Sequence, residues 1–154
     1  MKFFRRLFEP ISIGRVVIKN RIAMAPMATI GLCNPDGTYT QRLIDYYVER
    51  AKGGVGLIIT GVTKVENEIE KSALTTRPIV SLSPLRFIQR ASELTEAVHT
   101  YGAKIFIQLT AGLGRVGKPT ALITRPVAPS PIPNYWDPTV TCRELTTCLL
   151  YTSD

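Results

Sequence analysis

The feature that most constrains this chain is a pair of apolar runs, residues 55–60 (VGLIIT) and 104–109 (KIFIQL), with a helical pattern between them. Neither run alternates apolar and polar residues, so each suits a strand covered on both faces. Two such strands joined by a helix form a βαβ unit, which commits the chain to a parallel sheet with right-handed crossovers. Pro84 suits the first turn of the joining helix. Phe87, Ala91, Leu94, Val98 and Tyr101 then step along one helical face until Gly102.

The same grammar precedes this unit. Residues 21–27 (RIAMAPM) read as an earlier buried strand, ended by Pro26. Thr40 is a good N-cap for a helix with Leu43, Ile44, Tyr47, Val48 and Ala51 on one face, and Gly53-Gly54 stops it. Near the start, residues 11–13 and 16–18 flank Gly14-Arg15, which predicts a hairpin. The second long strand is expected to end at Gly61-Val62. Past Leu109 the periodicity dissolves: six of the eleven prolines lie between residues 119 and 138, which predicts a long loop. Residues 143–147 read as the approach to a further helix.

Composition narrows the function classes. At 154 residues, 45% hydrophobic and 20% charged, the chain is a globular domain rather than a disordered or fibrous one. No apolar run approaches the ~20 residues of a membrane span. Arg5-Arg6 and Glu9-Pro10 interrupt the first apolar stretch, so no secretory segment is expected and a cytoplasmic location is the default. Cys33, Cys142 and Cys148 form no C-x-x-C pair, which argues against a disulfide framework or a metal site. The net charge of +7 comes from scattered Lys and Arg. No nucleic-acid module accompanies them, so no nucleic-acid partner is expected.

Two local features bear on chemistry. Gly112-Leu113-Gly114-Arg115-Val116-Gly117 matches G-x-G-x-x-G after a strand, as a dinucleotide site would. Such a site needs a helix next and an acidic residue ending a second strand. Here Lys118-Pro119 and a proline-rich loop follow, and Asp137 sits in Tyr135-Trp136-Asp137-Pro138, so the match is read as fortuitous. The second feature is at the carboxyl ends of the strands, where parallel α/β folds bind ligands. Pro26-Met27-Ala28, Gly61-Val62 and Gln108 lie there. A glutamine in an apolar strand needs either a structural hydrogen-bond partner or a ligand, and its amide offers both a donor and an acceptor. His99, beside Val98 near a helix end, reads as a solvated residue.

Several blocks, in order, carry a family resemblance: residues 7–11 (LFEPI), 19–27 (KNRIAMAPM), 50–60 (RAKGGVGLIIT), 108–115 (QLTAGLGR) and 128–130 (APS). Over residues 7–147 the chain resembles the old yellow enzyme family of NADH:flavin oxidoreductases. The nearest branch is that of 2-enoate reductases, 2,4-dienoyl-CoA reductases and bile-acid flavin oxidoreductases. The resemblance implies an α/β fold, a (β/α)₈ TIM barrel of which the hairpin, three strands and two helices are present. It implies FMN at the barrel mouth, with Ala25, Pro26, Met27 and Ala28 along the flavin ring, Val62 giving a backbone contact and Gln108 on the pyrimidine edge. It also implies NAD(P)H as reductant and a small-molecule substrate with an activated alkene, an enoate, dienoyl or steroid-type enone, reduced by hydride from flavin N5. Ala28 stands where some relatives carry a cysteine, and Thr110-Ala111-Gly112 departs from the His-x-Gly-Arg of many members.

A TIM barrel has eight strands and typically ~250 residues. Residues 1–147 are therefore expected to be the N-terminal part of an FMN-binding barrel, and 148–154 a non-native tail. The catalytic residues are expected beyond this chain, as is the FMN-phosphate site. A longer parent adds a possible oligomer and, in larger relatives, a 4Fe-4S cluster and FAD. The chain alone is expected to be inactive. Two other readings fit the βα pattern: a half-barrel interaction protein that completes its sheet with a partner chain, and a barrel with another cofactor, such as a phosphate-sugar aldolase.

Overall fold

A computed structural model describes residues 4–148. The predicted hairpin forms from β1 (Ile11–Ile13) and β2 (Val16–Ile18), antiparallel, with Ile11 opposite Ile18. Gly14 takes the left-handed conformation the two-residue turn requires, at φ +57°. Three strands then build a parallel sheet in the order β3 (Ala23–Met24), β4 (Leu57–Lys64) and β5 (Lys104–Thr110). Helix α1 (Gln41–Lys52) joins β3 to β4, and α2 (Pro84–His99) joins β4 to β5.

The helices start and stop for the expected reasons. The Thr40 hydroxyl accepts the Leu43 amide at 3.2 Å, capping α1. Gly54, at φ +97°, turns the chain out of it. Pro84 opens α2. The buried stripes of the two helices meet over the sheet, where Leu43, Tyr47, Phe87, Leu94 and Val98 surround Ile58. The Tyr39 and Phe87 rings lie 5.1 Å apart in this core.

Two strand boundaries differ from expectation. The strand expected over 21–27 pairs only at Ala23 and Met24, because Pro26 lacks an N–H and the chain leaves the sheet there. The strand expected to end at Gly61-Val62 instead runs through both to Lys64. It survives because of a β-bulge: Ile59 pairs with Phe106, and pairing resumes with Val62 opposite Gln108, so β4 carries one extra residue. The bulge's displaced amides are taken up by side chains. Gly61 N–H donates to the Tyr47 hydroxyl at 2.8 Å, and Gln108 N–H donates to Thr60 Oγ1 at 3.2 Å.

The long loop is more ordered than its composition suggests. Residues 114–116 and 119–121 form single helical turns. Asn134 is buried and donates to the carbonyls of Arg115 and Gly117 at 2.7 and 2.8 Å. The segment expected to approach a helix first forms β7 (Arg143–Glu144), parallel to β6 (Val127–Ala128), and helical backbone then begins at Thr147, as that expectation required. Arg143 N–H donates to Pro126 O and Leu145 N–H to Ala128 O, both at 2.8 Å. Of the tail expected over 148–154, Cys148 is exposed, and the rest lies outside the described residues. Among the described residues, no helix is long and apolar enough to cross a membrane. No cluster of three or more His, Cys, Asp or Glu in them is placed to hold a metal.

Candidate functional site at the strand ends

The sheet's carboxyl edge gathers most of the residues singled out from the sequence. Ala25, Pro26, Met27 and Ala28 leave β3 in an exposed, extended path. Gly61 lets that path cross β4 closely: a Cβ there would stand 2.1 Å from the Met27 carbonyl oxygen. Any side chain at position 61 would push the Met27 backbone away. The Met27 side chain turns toward α1, where the Tyr46 hydroxyl reaches its sulfur at 3.9 Å. The amides of Met27 and Ala28 donate to no acceptor among the described residues, so both are open to a ligand.

Val62 and Gln108 face each other across the resumed register and so share one face of the sheet. Gln108 is exposed. Its backbone is held by Thr60, while its carboxamide makes no hydrogen bond among the described residues. Of the two partners the sequence allows this glutamine, a structural one for the side chain is not found among the described residues. The row from Met27 through Gly61 and Val62 to Gln108 thus presents open backbone amides at one end and a free carboxamide at the other. Ala25 and Pro26 lie on the approach to this row rather than within it. Burial pushes the Tyr47 hydroxyl's pKa up, which keeps it a neutral partner for the bulge.

Beside this row opens a cavity of about 450 Å³, within the usual range of small-molecule sites. Ala28 and Val62 form its side toward the row, and Leu113, Val116 and Trp136 of the long loop form much of its apolar wall. The Trp136 indole N–H donates to Val116 O at 2.9 Å and so fixes that wall.

The glycine-rich loop has a different role from phosphate binding. Glu70 is buried, and its carboxylate accepts the amides of Leu113 and Gly114 at 2.6 and 2.9 Å. A Cβ on Gly112 would meet that carboxylate at 2.9–3.1 Å, and Gly114 has φ +58°. The glycines therefore wrap an internal anion, which explains the spacing without a dinucleotide. Asp137, the distant acid of that motif, accepts the Thr139 amide at 3.1 Å and shapes a local turn. Lys64 closes the network: buried, it donates to the Glu70 carbonyl, to Ser72 Oγ at 2.8 Å and to Glu66 Oε1 at 3.3 Å.

Sequence reasoning missed Glu70 and Lys64. The available signal was a lysine following VGLIITGVT, since a charge continuing an apolar strand must find buried partners. His99 is exposed in the last turn of α2, which leads into the start of β5, at the opposite end of the sheet from the site. Cys33 is half-buried, with its thiol pKa raised mainly by burial and its sulfur 3.7 Å from Thr75 O.

Comparison with known proteins shows the family and the fold. Cinnamate reductase of Clostridium sporogenes is 56% identical over 144 residues, covering 94% of this chain and 22% of that protein. NADH oxidase of Thermoanaerobacter brockii is 48% identical over 136 residues, covering 86% of this chain and 20% of that protein. The chain thus spans about a fifth of the length of these relatives. The old yellow enzyme homologue of Zymomonas mobilis superposes with a TM-score of 0.72 at 30% identity, over 92% of this chain and 40% of that one. The three strands and two helices are accordingly part of an old yellow enzyme-type TIM barrel. The family model for NADH:flavin oxidoreductases and NADH oxidases matches residues 6–146, and the chain belongs to that family.

Proposed function

We propose that this chain is the N-terminal part of the barrel of an FMN-dependent NAD(P)H oxidoreductase that reduces activated C=C bonds in small molecules. The observation that carries the reading is the row from Met27 to Gln108: free amides at Met27 and Ala28, a close crossing at Gly61, and an unpartnered carboxamide at Gln108. That donor and acceptor set suits the pyrimidine edge of a flavin, whose imide N–H needs an acceptor and whose carbonyl oxygens need donors. Ala25 and Pro26 would lead the chain along the ring, and Val62 would bring its backbone to the edge. FMN, when bound, would supply two-electron hydride chemistry between NAD(P)H and the alkene.

The chain's own residues bind and orient. Gln108 is held by its backbone bond to Thr60, so its carboxamide is presented from a fixed strand rather than a loop. Glu70 fixes the loop that forms the cavity wall and thereby helps keep water from the reacting face. The name of the Clostridium sporogenes relative supports an enoate as substrate. The catalytic acid and the carbonyl-binding groups are assigned to parts of the barrel that this chain does not include. FAD, an iron–sulfur cluster, oligomer contacts and a cytoplasmic site of action go with the longer parent in the same proposal.

The test uses the full-length protein. Gln108→Leu and Gly61→Val are expected to lower the FMN retained through purification, and the wild type is expected to oxidise NAD(P)H in the presence of an activated alkene. Full FMN occupancy in both variants would count against the row as a flavin site. A flavin-loaded wild type that leaves enoates and enones untouched would remove the alkene-reductase reading.

A further inference from the structure

We propose that Arg77 is the residue that anchors a ligand carboxylate in the cavity beside the strand-end row, with the ligand's apolar body against the loop wall. The inference deepens the alkene-reductase reading and rests on it. Its basis is a guanidinium with unused capacity. Among the described residues four arginines are half-buried: Arg50, Arg77, Arg90 and Arg143. Arg50 donates to Tyr46 O and stacks on the Tyr46 ring. Arg90 binds Tyr39 O, Gln41 and Glu93. Arg143 binds the carbonyls of Arg125 and Ile69. Arg77 alone of the four has no polar contact beyond one long bond, to the neighbouring Thr76 hydroxyl at 3.5 Å.

A guanidinium carries five N–H donors in a planar fork, and removing it from water without partners is costly. Burial is the largest influence on Arg77 and pulls its pKa down, as expected of a cation lacking a contact ion pair. The Glu70 carboxylate acts on Arg77 through space, opposing the effect of burial, but forms no ion pair with it; its oxygens accept the Leu113 and Gly114 amides. Arg77 and Lys118 line the cavity, and no acidic residue does. Neither forms a salt bridge among the described residues. Leu113, Val116 and Trp136 offer an apolar wall on the same cavity, and Ala28 and Val62 join it to the strand-end row. One pocket therefore combines a planar cationic fork, an apolar wall and contact with the proposed flavin row, which is the complement of an aryl or alkyl enoate.

The test titrates the FMN-loaded full-length protein with 3-phenylpropanoate and with its neutral amide, both non-reducible, reading the flavin absorbance shift. Wild type is expected to bind the acid more tightly than the amide, and rising ionic strength should weaken only the acid. Arg77→Gln should weaken acid binding by about 30-fold or more and leave amide binding unchanged, and Arg77→Lys should restore part of the loss. Equal weakening of both ligands, or an acid affinity indifferent to both salt and substitution, overturns the anchor. The salt response keeps the proposal exposed even if Arg77→Gln fails to fold. Carboxylate binding through Arg77 in a protein that reduces no alkene would leave the anchor standing and refute the reductase reading. Alkene reduction unaffected by Arg77→Gln, for acids and neutral enones alike, would sink the anchor alone.

Discussion

β4 and β5 are paired neighbours of similar length and similarly apolar sequence, yet they sit in opposite environments. Six of the eight β4 residues are buried, and none of the seven in β5 is. Phe106 and Ile107 are each 43% exposed and Leu109 is 59% exposed, whereas Ile58 is fully buried. β4 has a strand on each side, two helices over it, and Tyr47 and Lys64 holding its bulge and far end. β5 has one strand neighbour, and α2 covers it only near Ile105. The difference teaches that β5's sequence matches a covered environment which these residues do not supply. In a closed barrel the next strand and the interior supply it.

The largest effect expected from this contrast is on folding itself. An apolar edge strand is a template for association. The 154-residue chain alone should therefore aggregate or melt without a sharp transition, and should retain little FMN. Size-exclusion chromatography and thermal melting check this. A monomer with one sharp transition would break the comparison, because β5 would then need no cover.

A smaller effect separates the two sides of the bulge. Tyr47→Phe strands the Gly61 amide in buried surroundings and should cost about 1–3 kcal/mol. Thr60→Val strands the Gln108 amide, which is only partly buried here, so water can replace the lost acceptor and the cost should be smaller. Denaturant melts of the full-length variants sharpen the comparison: once a further strand covers β5, the two costs should converge. A persistent gap would mean that β5 keeps an open edge in the complete protein.

Much of this was legible in the sequence, and the reasons differ by residue. Thr40, Gly54, Pro84 and Gly102 mark helix ends through local backbone and capping chemistry, which a one-dimensional pattern carries. Motif resemblance singles out the strand-end residues from Ala25 to Ala28, with Val62 and Gln108, and the adjacency of the last two follows from parallel register. The β4 bulge was not legible, because it depends on a tyrosine hydroxyl arriving from α1. The roles of Glu70 and Arg77 were hidden for a similar reason: one carboxylate is spent on a loop over forty residues away, and one guanidinium matters because its neighbours are already paired. The β6–β7 pairing was masked by prolines, which break periodicity without preventing short bridges.

The smallest predicted effect concerns how the far end of β4 is clamped. Lys64 N–H donates to Pro78 O at 2.8 Å, and Val80 N–H returns a bond to Lys64 O at 3.0 Å. This clamp rests on the 34–38 loop, where Ile79 N–H donates to Gly37 O at 2.9 Å. Gly37, at φ +81°, leaves no room for a Cβ, which would stand 2.6 Å from Ile79 O. Asp36 shapes that loop: Oδ1 accepts the Thr38 hydroxyl at 2.7 Å and the Thr38 amide at 3.1 Å. The Thr38 hydroxyl first, then its amide and the Arg86 guanidinium, hold the Asp36 carboxyl below its usual pKa. A depressed carboxylate pKa means the folded state gives up its proton more readily than the unfolded one. The resulting stability is present above about pH 4 and is lost as the pH falls through the lower, folded value. Solvent screening keeps it small. Asp36→Asn keeps the Oδ1 acceptor and removes the charge. Its melting temperature should therefore fall less steeply than the wild type's on acidification below about pH 4. Parallel acid limbs for the two proteins would show that the charge adds nothing to the clamp, leaving the greater order of β4 to packing and backbone pairing alone.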